Sequence, residues 1–76
     1  MRLKELREEN NYTQKQIADV LEIKQNTYSQ YETEKREIPI SALIKLAKLY
    51  EVSVDYILGL TDFWKNKQKT QPITAK

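Results

Sequence analysis

The chain has 76 residues, enough for one small domain, and its 13 basic and 11 acidic side chains give a net charge of +2. It contains neither Cys nor His, which excludes disulfides, thiolate or imidazole metal sites, and Cys or His catalysis. No apolar run approaches the ~18 residues that span a bilayer, and the N-terminus lacks a signal peptide's apolar segment. We therefore expect a cytoplasmic protein without a membrane partner, cofactor, metal or evident small-molecule ligand.

The composition favours helices over strands. Gly occurs once and Pro twice, whereas Leu, Ile, Glu, Lys and Gln are abundant. No stretch alternates strictly between apolar and polar residues between hairpin turn signals. We predict an all-α fold of five short helices, the first of which carries Leu3 and Leu6 on one face and ends at Asn10-Asn11.

The second and third helices are predicted to lie close together, joined by a tight turn. Thr13 is an N-cap candidate, and Gln16 three residues later completes a capping box. Glu22 and Ile23 form the turn, and the third helix begins near residue 24 or 25. The apolar faces of the two helices consist of Ile17, Ala18 and Leu21 in the second and Tyr28 and Tyr31 in the third.

The fourth and fifth helices are predicted from similar signals. Pro39 suits the start of the fourth helix, Ser53 caps the fifth, which covers residues 54–58, and Gly59 ends it. A wide apolar stripe is expected to make the fourth helix the central packed helix; it consists of Ile40, Leu43, Ile44, Leu46, Ala47 and Tyr50.

The third helix carries an unusual concentration of amides and hydroxyls away from its tyrosines. Gln25, Asn26 and Gln30 lie in one exposed arc, and Asn and Gln amides can pair in two places with the edge of adenine. Thr27 and Ser29 flank that arc, within reach of a thymine methyl group or a phosphate. Cations that bracket the helix are natural phosphate ligands: Lys24, Lys35 and Arg36. No carboxylate pair or Gly-rich loop suggests catalysis, so an enzyme is not expected.

Several short elements resemble the Cro and phage-repressor class of helix-turn-helix regulators, the xenobiotic-response-element (XRE) type. They are Thr13-Gln14, Ile17-Ala18, Tyr31-Glu32, Leu43, Leu46-Ala47, Val52-Ser53 and Asp55. The resemblance covers roughly residues 1–60. It implies a lambda-repressor-like domain whose recognition helix, about residues 24–33, enters the major groove of double-stranded DNA. The implied function is sequence-specific DNA binding by a small bacterial or phage transcriptional regulator, a repressor.

The resemblance also implies roles for individual residues. Gln25, Asn26 and Gln30 match base-contact positions, which Thr27 would supplement. Gln14 matches a phosphate contact at the start of the second helix, where Thr13 and helix-end N–H groups assist. Arg7 and Glu32 match an ion pair that links the first and third helices.

The sequence departs from the family pattern at two turns. Glu22 and Glu34 stand where the family usually has Gly. A backbone conformation with positive φ costs a residue that has a β-carbon about 1 kcal/mol. We therefore expect Glu22 to be strained if it adopts the turn conformation that the family shows.

The apolar residues near the end of the chain exceed what a short terminal helix can bury. We predict that Ile57, Leu60, Phe63 and Trp64 form the contact of a homodimer on a palindromic operator; alternatively, Phe63 and Trp64 fold back over their own chain. Residues 61–76 form a basic tail, partly disordered or part of this contact. The alternative function is a protein-interaction module, such as an antitoxin-like protein that binds a partner.

Overall fold

The structure, a computed structural model, describes residues 1–62. Its five helices are α1 Leu3–Glu9, α2 Gln14–Leu21, α3 Gln25–Glu32, α4 Ile40–Tyr50 and α5 Val54–Leu58. The predicted all-α fold is confirmed, and α2 and α3 are joined by a turn of residues 22–24. Within this part of the chain, no helix has both the length and the apolar character needed to cross a membrane.

Two helices begin at the caps that the sequence predicts. The Thr13 hydroxyl accepts a hydrogen bond from the Gln16 backbone N–H at 3.1 Å, and the Gln16 side chain accepts one from the Thr13 N–H at 2.8 Å. The Ser53 hydroxyl accepts from the Tyr56 N–H at 3.0 Å. These bonds satisfy N–H groups that a helix start leaves without a partner, so they fix where α2 and α5 begin.

All five helices end in the same type of backbone reversal. After α2, the Glu22 N–H donates to the Asp19 carbonyl at 3.1 Å, and the Ile23 N–H donates to the Ala18 carbonyl at 3.0 Å. This Schellman pattern requires a left-handed residue just after the helix. The residues in that conformation are Asn11 (φ 61), Glu22 (φ 59), Glu34 (φ 60), Glu51 (φ 58) and Gly59 (φ 84). Three of them are glutamates, so the strain expected at Glu22 also occurs at two other helix ends.

Replacement of Glu22 with Gly is expected to stabilise the fold. The left-handed conformation costs a residue with a β-carbon about 1–2 kcal/mol, and the greater freedom of Gly in the unfolded chain offsets about 0.5–1 kcal/mol of that gain. We expect a net increase of about 0.5–1 kcal/mol in the free energy of unfolding, measured by urea denaturation. Glu22→Ala is the control because it removes the same charge and keeps the β-carbon. A Gly variant no more stable than the Ala variant would contradict the strain argument.

The core is built from one face of each helix. Helix α2 packs on α3, α4 packs on α5, and α1 packs on α3. Tyr28 and Tyr31 anchor α3 in this core with their rings edge to face, 6.5 Å apart between centroids. The buried residues are Leu3, Leu6, Ile17, Ala18, Leu21, Tyr28, Tyr31, Ala42, Leu43, Leu46, Tyr50 and Ile57. The polar face of α3 is therefore turned away from the core.

The predicted apolar stripe of α4 is wrong at two positions. Ile40 is 62% exposed and Ile44 is 44% exposed, whereas Ala42 is buried. Successive residues of a helix are rotated by about 100°, so Ile44 lies on the opposite side from the fully buried Leu46. The core covers only the arc around Leu46 and Tyr50, which is narrower than the apolar stripe in the sequence.

Candidate nucleic-acid interface

The exposed face of α3 presents three side-chain amides. Gln25 and Asn26 are exposed and Gln30 is half-buried, on the side opposite the buried Tyr28 and Tyr31. Among the hydrogen bonds of residues 1–62, none involves the side-chain amide of Gln25, Asn26 or Gln30. Each amide therefore offers both a donor and an acceptor to a ligand, which is the mixture that base edges in the major groove require.

Hydroxyls and cations surround this amide face. Thr27 and Ser29 are half-buried beside it. Lys24 occupies the N-cap position of α3, and Lys35 and Arg36 follow the helix. These three cations are exposed, and in the described part of the chain none of them forms a salt bridge. The geometry thus leaves a polar helix face with unpaired positive charge at both ends, which suits contact with a phosphate backbone.

Arg7 of α1 and Glu32 of α3 lie in contact. Arg7 Nε donates to Glu32 Oε2 at 2.6 Å, and Arg7 Nη2 donates to Glu32 Oε1 at 3.3 Å. Their side chains are only 12% and 4% exposed. A third donor, Arg7 Nη1, bonds to the Tyr12 carbonyl at 3.0 Å. This bidentate pair connects the end of α3 to α1 and to the segment before α2.

The start of α2 is joined to the same pair. Gln14 is the first residue of α2, and its Nε2 donates to Glu32 Oε1 at 3.1 Å. Thr13, the other residue predicted to contact phosphate here, uses its hydroxyl as the helix cap. No local sequence pattern indicates the Gln14–Glu32 bond, because the two residues belong to different helices and an amide at a helix start has many possible partners.

Two tyrosine hydroxyls are buried near this pair. The hydroxyls of Tyr28 and Tyr50 have no hydrogen-bond partner among the described residues. Burial is the main cause that raises the pKa of both phenols, that of Tyr50 to about 12; Arg7 acts to lower both values and the Glu32 carboxylate acts to raise them. Both phenols are therefore neutral near pH 7, so the charge in this region belongs to Arg7 and Glu32.

The acid-base behaviour of the pair follows from its contacts. Burial acts to raise the pKa of Glu32, but the hydrogen bonds from Arg7, the neighbouring Tyr28 hydroxyl and the hydrogen bond from Gln14 together outweigh it, and the pKa lies below its ordinary value of 4.5. The same pair raises the pKa of Arg7, mainly through its hydrogen bond to Glu32. The ionised pair is therefore the state that the fold favours.

Stability is expected to decrease in acid because of Glu32. Its pKa is lower in the folded than in the unfolded chain, so protons bind preferentially to the unfolded chain. The contribution of Glu32 to the free energy of unfolding is complete at pH values above the ordinary pKa of 4.5. It is lost as the pH falls through the lowered pKa of the folded chain. Urea denaturation at a series of pH values should show a smaller dependence on acid for Glu32→Gln than for the wild type. Parallel profiles would contradict this assignment.

The prediction for the dimer contact requires a correction at Ile57. Its side chain is completely buried within the core, so Ile57 as folded does not face a second chain. The reason is that α5 has only five residues and uses this side chain to attach itself to the core. Leu60, in contrast, is 74% exposed. Phe63 and Trp64 lie outside the described residues.

Arg2 joins the start of the chain to residues 56–62. Its Nε donates to the Tyr56 carbonyl at 2.8 Å, and its Nη2 donates to the Thr61 carbonyl at 3.2 Å and to Asp62 Oδ1 at 3.1 Å. The guanidinium also lies 4.3 Å from the centre of the Tyr56 ring, and the Arg2 N–H donates to the Ile57 carbonyl at 2.7 Å. Sequence reasoning missed this residue, because nothing local to Arg2 indicates a partner more than fifty residues away.

Comparisons with known proteins agree with this geometry. A family model described as helix-turn-helix matches residues 3–57, from the first residue of α1 to the penultimate residue of α5. Among relatives in Bacillus subtilis (strain 168), the uncharacterized HTH-type transcriptional regulator YobD is 48% identical over 61 residues, which are 80% of this chain and 54% of YobD. The HTH-type transcriptional regulator ImmR is 43% identical over 67 residues, 88% of this chain and 53% of ImmR.

A third relative extends the agreement. The HTH-type transcriptional regulator AnsR of the same organism is 38% identical over 68 residues, 90% of this chain and 54% of AnsR. The chain thus spans about half the length of these curated relatives, and no solved structure matches it. The family match covers most of the chain, and all of the XRE-type elements noted in the sequence lie within it. The chain therefore belongs to the XRE-type helix-turn-helix family of transcriptional regulators, which are DNA-binding proteins and not enzymes.

Proposed function

We propose that the chain binds double-stranded DNA sequence-specifically, with α3 in the major groove. The observation that supports this most directly is the exposed amide face of Gln25, Asn26 and Gln30, whose side chains have no partner within residues 1–62. Tyr28 and Tyr31 hold the opposite face in the core, so the amides are presented from a fixed helix. Amides that donate and accept at once are suited to read adenine, and Thr27 adds a methyl group beside them.

In this proposal the phosphate contacts come from both ends of the recognition helix and from the start of α2. Lys24 precedes α3, and Lys35 and Arg36 follow it, all three exposed. They supply the attraction that the small net charge of +2 does not provide in bulk. The polar groups of Thr13, Gln14 and Ser29 complete the proposed set of phosphate contacts.

We also propose a homodimer on a palindromic operator. A single domain of this size makes too few contacts to select one genomic site, and two copies related by a two-fold axis would read two half-sites. Residues 1–60 are the proposed DNA-binding domain, and residues 61–76 the basic tail. Leu60, exposed beside the Arg2 contacts, is the described residue best suited to the dimer contact; Phe63 and Trp64 are proposed to join it.

The regulatory role that we propose is repression in the cytoplasm. A dimer that occupies an operator blocks access of other proteins to that DNA without needing a further contact of its own. Occupancy would then depend on the concentration of the protein or on a partner. A reporter gene placed behind the selected operator should be expressed less when the protein is produced, and increased expression would indicate an activator instead.

The DNA-binding proposal is tested by selection from random duplexes followed by two substitutions. We expect enrichment of a palindromic sequence and a steep loss of affinity with salt. Gln25→Ala should reduce affinity by about 1–3 kcal/mol and relax the preference at one base position. Lys35→Ala should weaken binding to all duplexes alike, because a phosphate contact carries no sequence information. If Gln25→Ala, like Lys35→Ala, weakened binding to selected and unrelated duplexes by the same factor, that result would contradict base reading by Gln25.

The same selection separates this proposal from the protein-interaction alternative. An antitoxin-like partner binder would use the region around α5 and the tail, where Leu60 is exposed. Such a protein need not enrich any DNA sequence. Absence of enrichment at moderate salt would therefore count against the regulator and leave the partner binder as the better account.

A further inference from the structure

We infer that Arg2 is a positioning residue for the association of two copies of this chain, because its side chain holds the backbone on both sides of the exposed Leu60. The inference rests on the proposed homodimer and adds a second residue to it. Arg2 acts through Leu60 and not on the second copy itself. It fixes the segment after α5 in the free chain, so that association does not have to order that segment first.

The contacts of the Arg2 guanidinium lie before and after Leu60 in the chain. On one side, Arg2 Nε donates to the Tyr56 carbonyl at 2.8 Å, and the guanidinium lies 4.3 Å from the centre of the Tyr56 ring. On the other side, Nη2 donates to the Thr61 carbonyl at 3.2 Å and to Asp62 Oδ1 at 3.1 Å. The N–H donors of a guanidinium lie in one rigid plane, so a single side chain fixes the relative positions of these acceptors.

The end of α5 fixes Leu60 from a second direction. Gly59 ends the helix in the left-handed conformation, and the Leu60 N–H donates to the Asp55 carbonyl at 2.9 Å. The backbone of Leu60 is therefore held while its side chain is 74% exposed. An apolar side chain on a fixed backbone loses little freedom when a partner covers it, whereas the same side chain on a loose segment must first be ordered.

The attachment of α1 to α5 does not depend on the guanidinium. The backbone N–H of Arg2 donates to the Ile57 carbonyl at 2.7 Å, and the Ile57 side chain is completely buried in the core. Both features remain when the Arg2 side chain is shortened or replaced. The ion pair with Asp62 is exposed on its acidic side, so its own contribution to folding is small. Loss of the guanidinium should therefore loosen residues 60–62 more than it weakens the five helices.

The test measures the monomer–dimer dissociation constant of the full chain and of three variants by sedimentation at several concentrations. Arg2→Met keeps an apolar stem and removes every side-chain donor. Asp62→Asn removes the ion pair and leaves both carbonyl contacts of Arg2 in place. Lys4→Ala is the control, because Lys4 is an exposed cation in the first turn of α1 that forms no salt bridge within residues 1–62.

The effect of each substitution on folding is measured separately. Leu60→Asp is combined with each of the three substitutions, so that the chains stay monomeric, and urea denaturation then reports folding without association. The dissociation constants are compared at a temperature at which every variant is folded.

We expect Arg2→Met to raise the dissociation constant roughly ten- to hundredfold, because both copies must then order a loosened segment when they associate. Asp62→Asn should have a smaller effect, and Lys4→Ala should have none. An unchanged dissociation constant for Arg2→Met, beside a wild type that dimerises, overturns the positioning role and leaves the homodimer intact. So does an increase that the loss of folding stability in the monomeric background explains. A wild type that stays monomeric at every concentration overturns the proposed homodimer, and the positioning role with it.

Discussion

Replacing Arg7 with Ala should lower the free energy of unfolding by about 3–5 kcal/mol. The substitution removes both hydrogen bonds that hold Glu32, whose side chain is 4% exposed, and leaves its carboxylate with only the Gln14 amide. The Tyr12 carbonyl also loses its donor. A buried charge without its partner costs far more than an exposed one, so this effect should exceed that of most surface substitutions. Urea denaturation near pH 7 measures it directly.

Two further variants separate charge from packing. Glu8→Ala, next to Arg7 and exposed, is the surface control and should change stability by less than about 0.5 kcal/mol. The double replacement of Arg7 by Met and Glu32 by Leu removes both charges and should recover much of the loss, because apolar residues of similar size often replace a buried pair without cost. A loss below about 1 kcal/mol for Arg7→Ala would mean that the pair behaves as an exposed one.

The local features of this fold were predictable, because they depend on residues close together in the chain. The capping box of Thr13 and Gln16, the cap at Ser53 and the helix end at Gly59 all follow from side chains within a few positions of each other. The resemblance supplied the pairing of Arg7 with Glu32, which local chemistry alone would not have provided. The amide face of α3 was predictable from the periodicity of the two tyrosines that define the opposite face.

The remaining features depend on how the helices are arranged in space. The apolar periodicity of α4 indicates which side of the helix is apolar but not how wide an arc of it the core covers. Ile40 and Ile44 were therefore wrongly expected to be buried. The contacts of Arg2 join opposite ends of the described chain and have no local signal. The Gln14–Glu32 bond could have been found only once the crossing of α2 and α3 was known.

Ile57 illustrates the same difficulty and gives the second large expected effect. An apolar residue in a short terminal helix can face either the core or a second chain, and the sequence does not distinguish these cases. Its complete burial indicates the core. Ile57→Ala should therefore destabilise the fold by about 2–5 kcal/mol, through lost apolar contact and the cavity that remains. The unfolding midpoint in urea should decrease by the same amount at low and high protein concentration.

Leu60 provides the matched comparison three residues later. Because Leu60 is 74% exposed, Leu60→Asp should change the stability of the folded monomer by less than about 0.5 kcal/mol. If Leu60 lies in the proposed dimer contact, the same substitution should shift the monomer–dimer equilibrium towards monomer in sedimentation experiments at several concentrations, because a charge would be buried without a partner. Ile57→Ala should affect mainly folding and Leu60→Asp mainly assembly. The reverse result, with a concentration-dependent effect at Ile57 and a loss of stability at Leu60, would mean that α5 changes its packing when two chains associate.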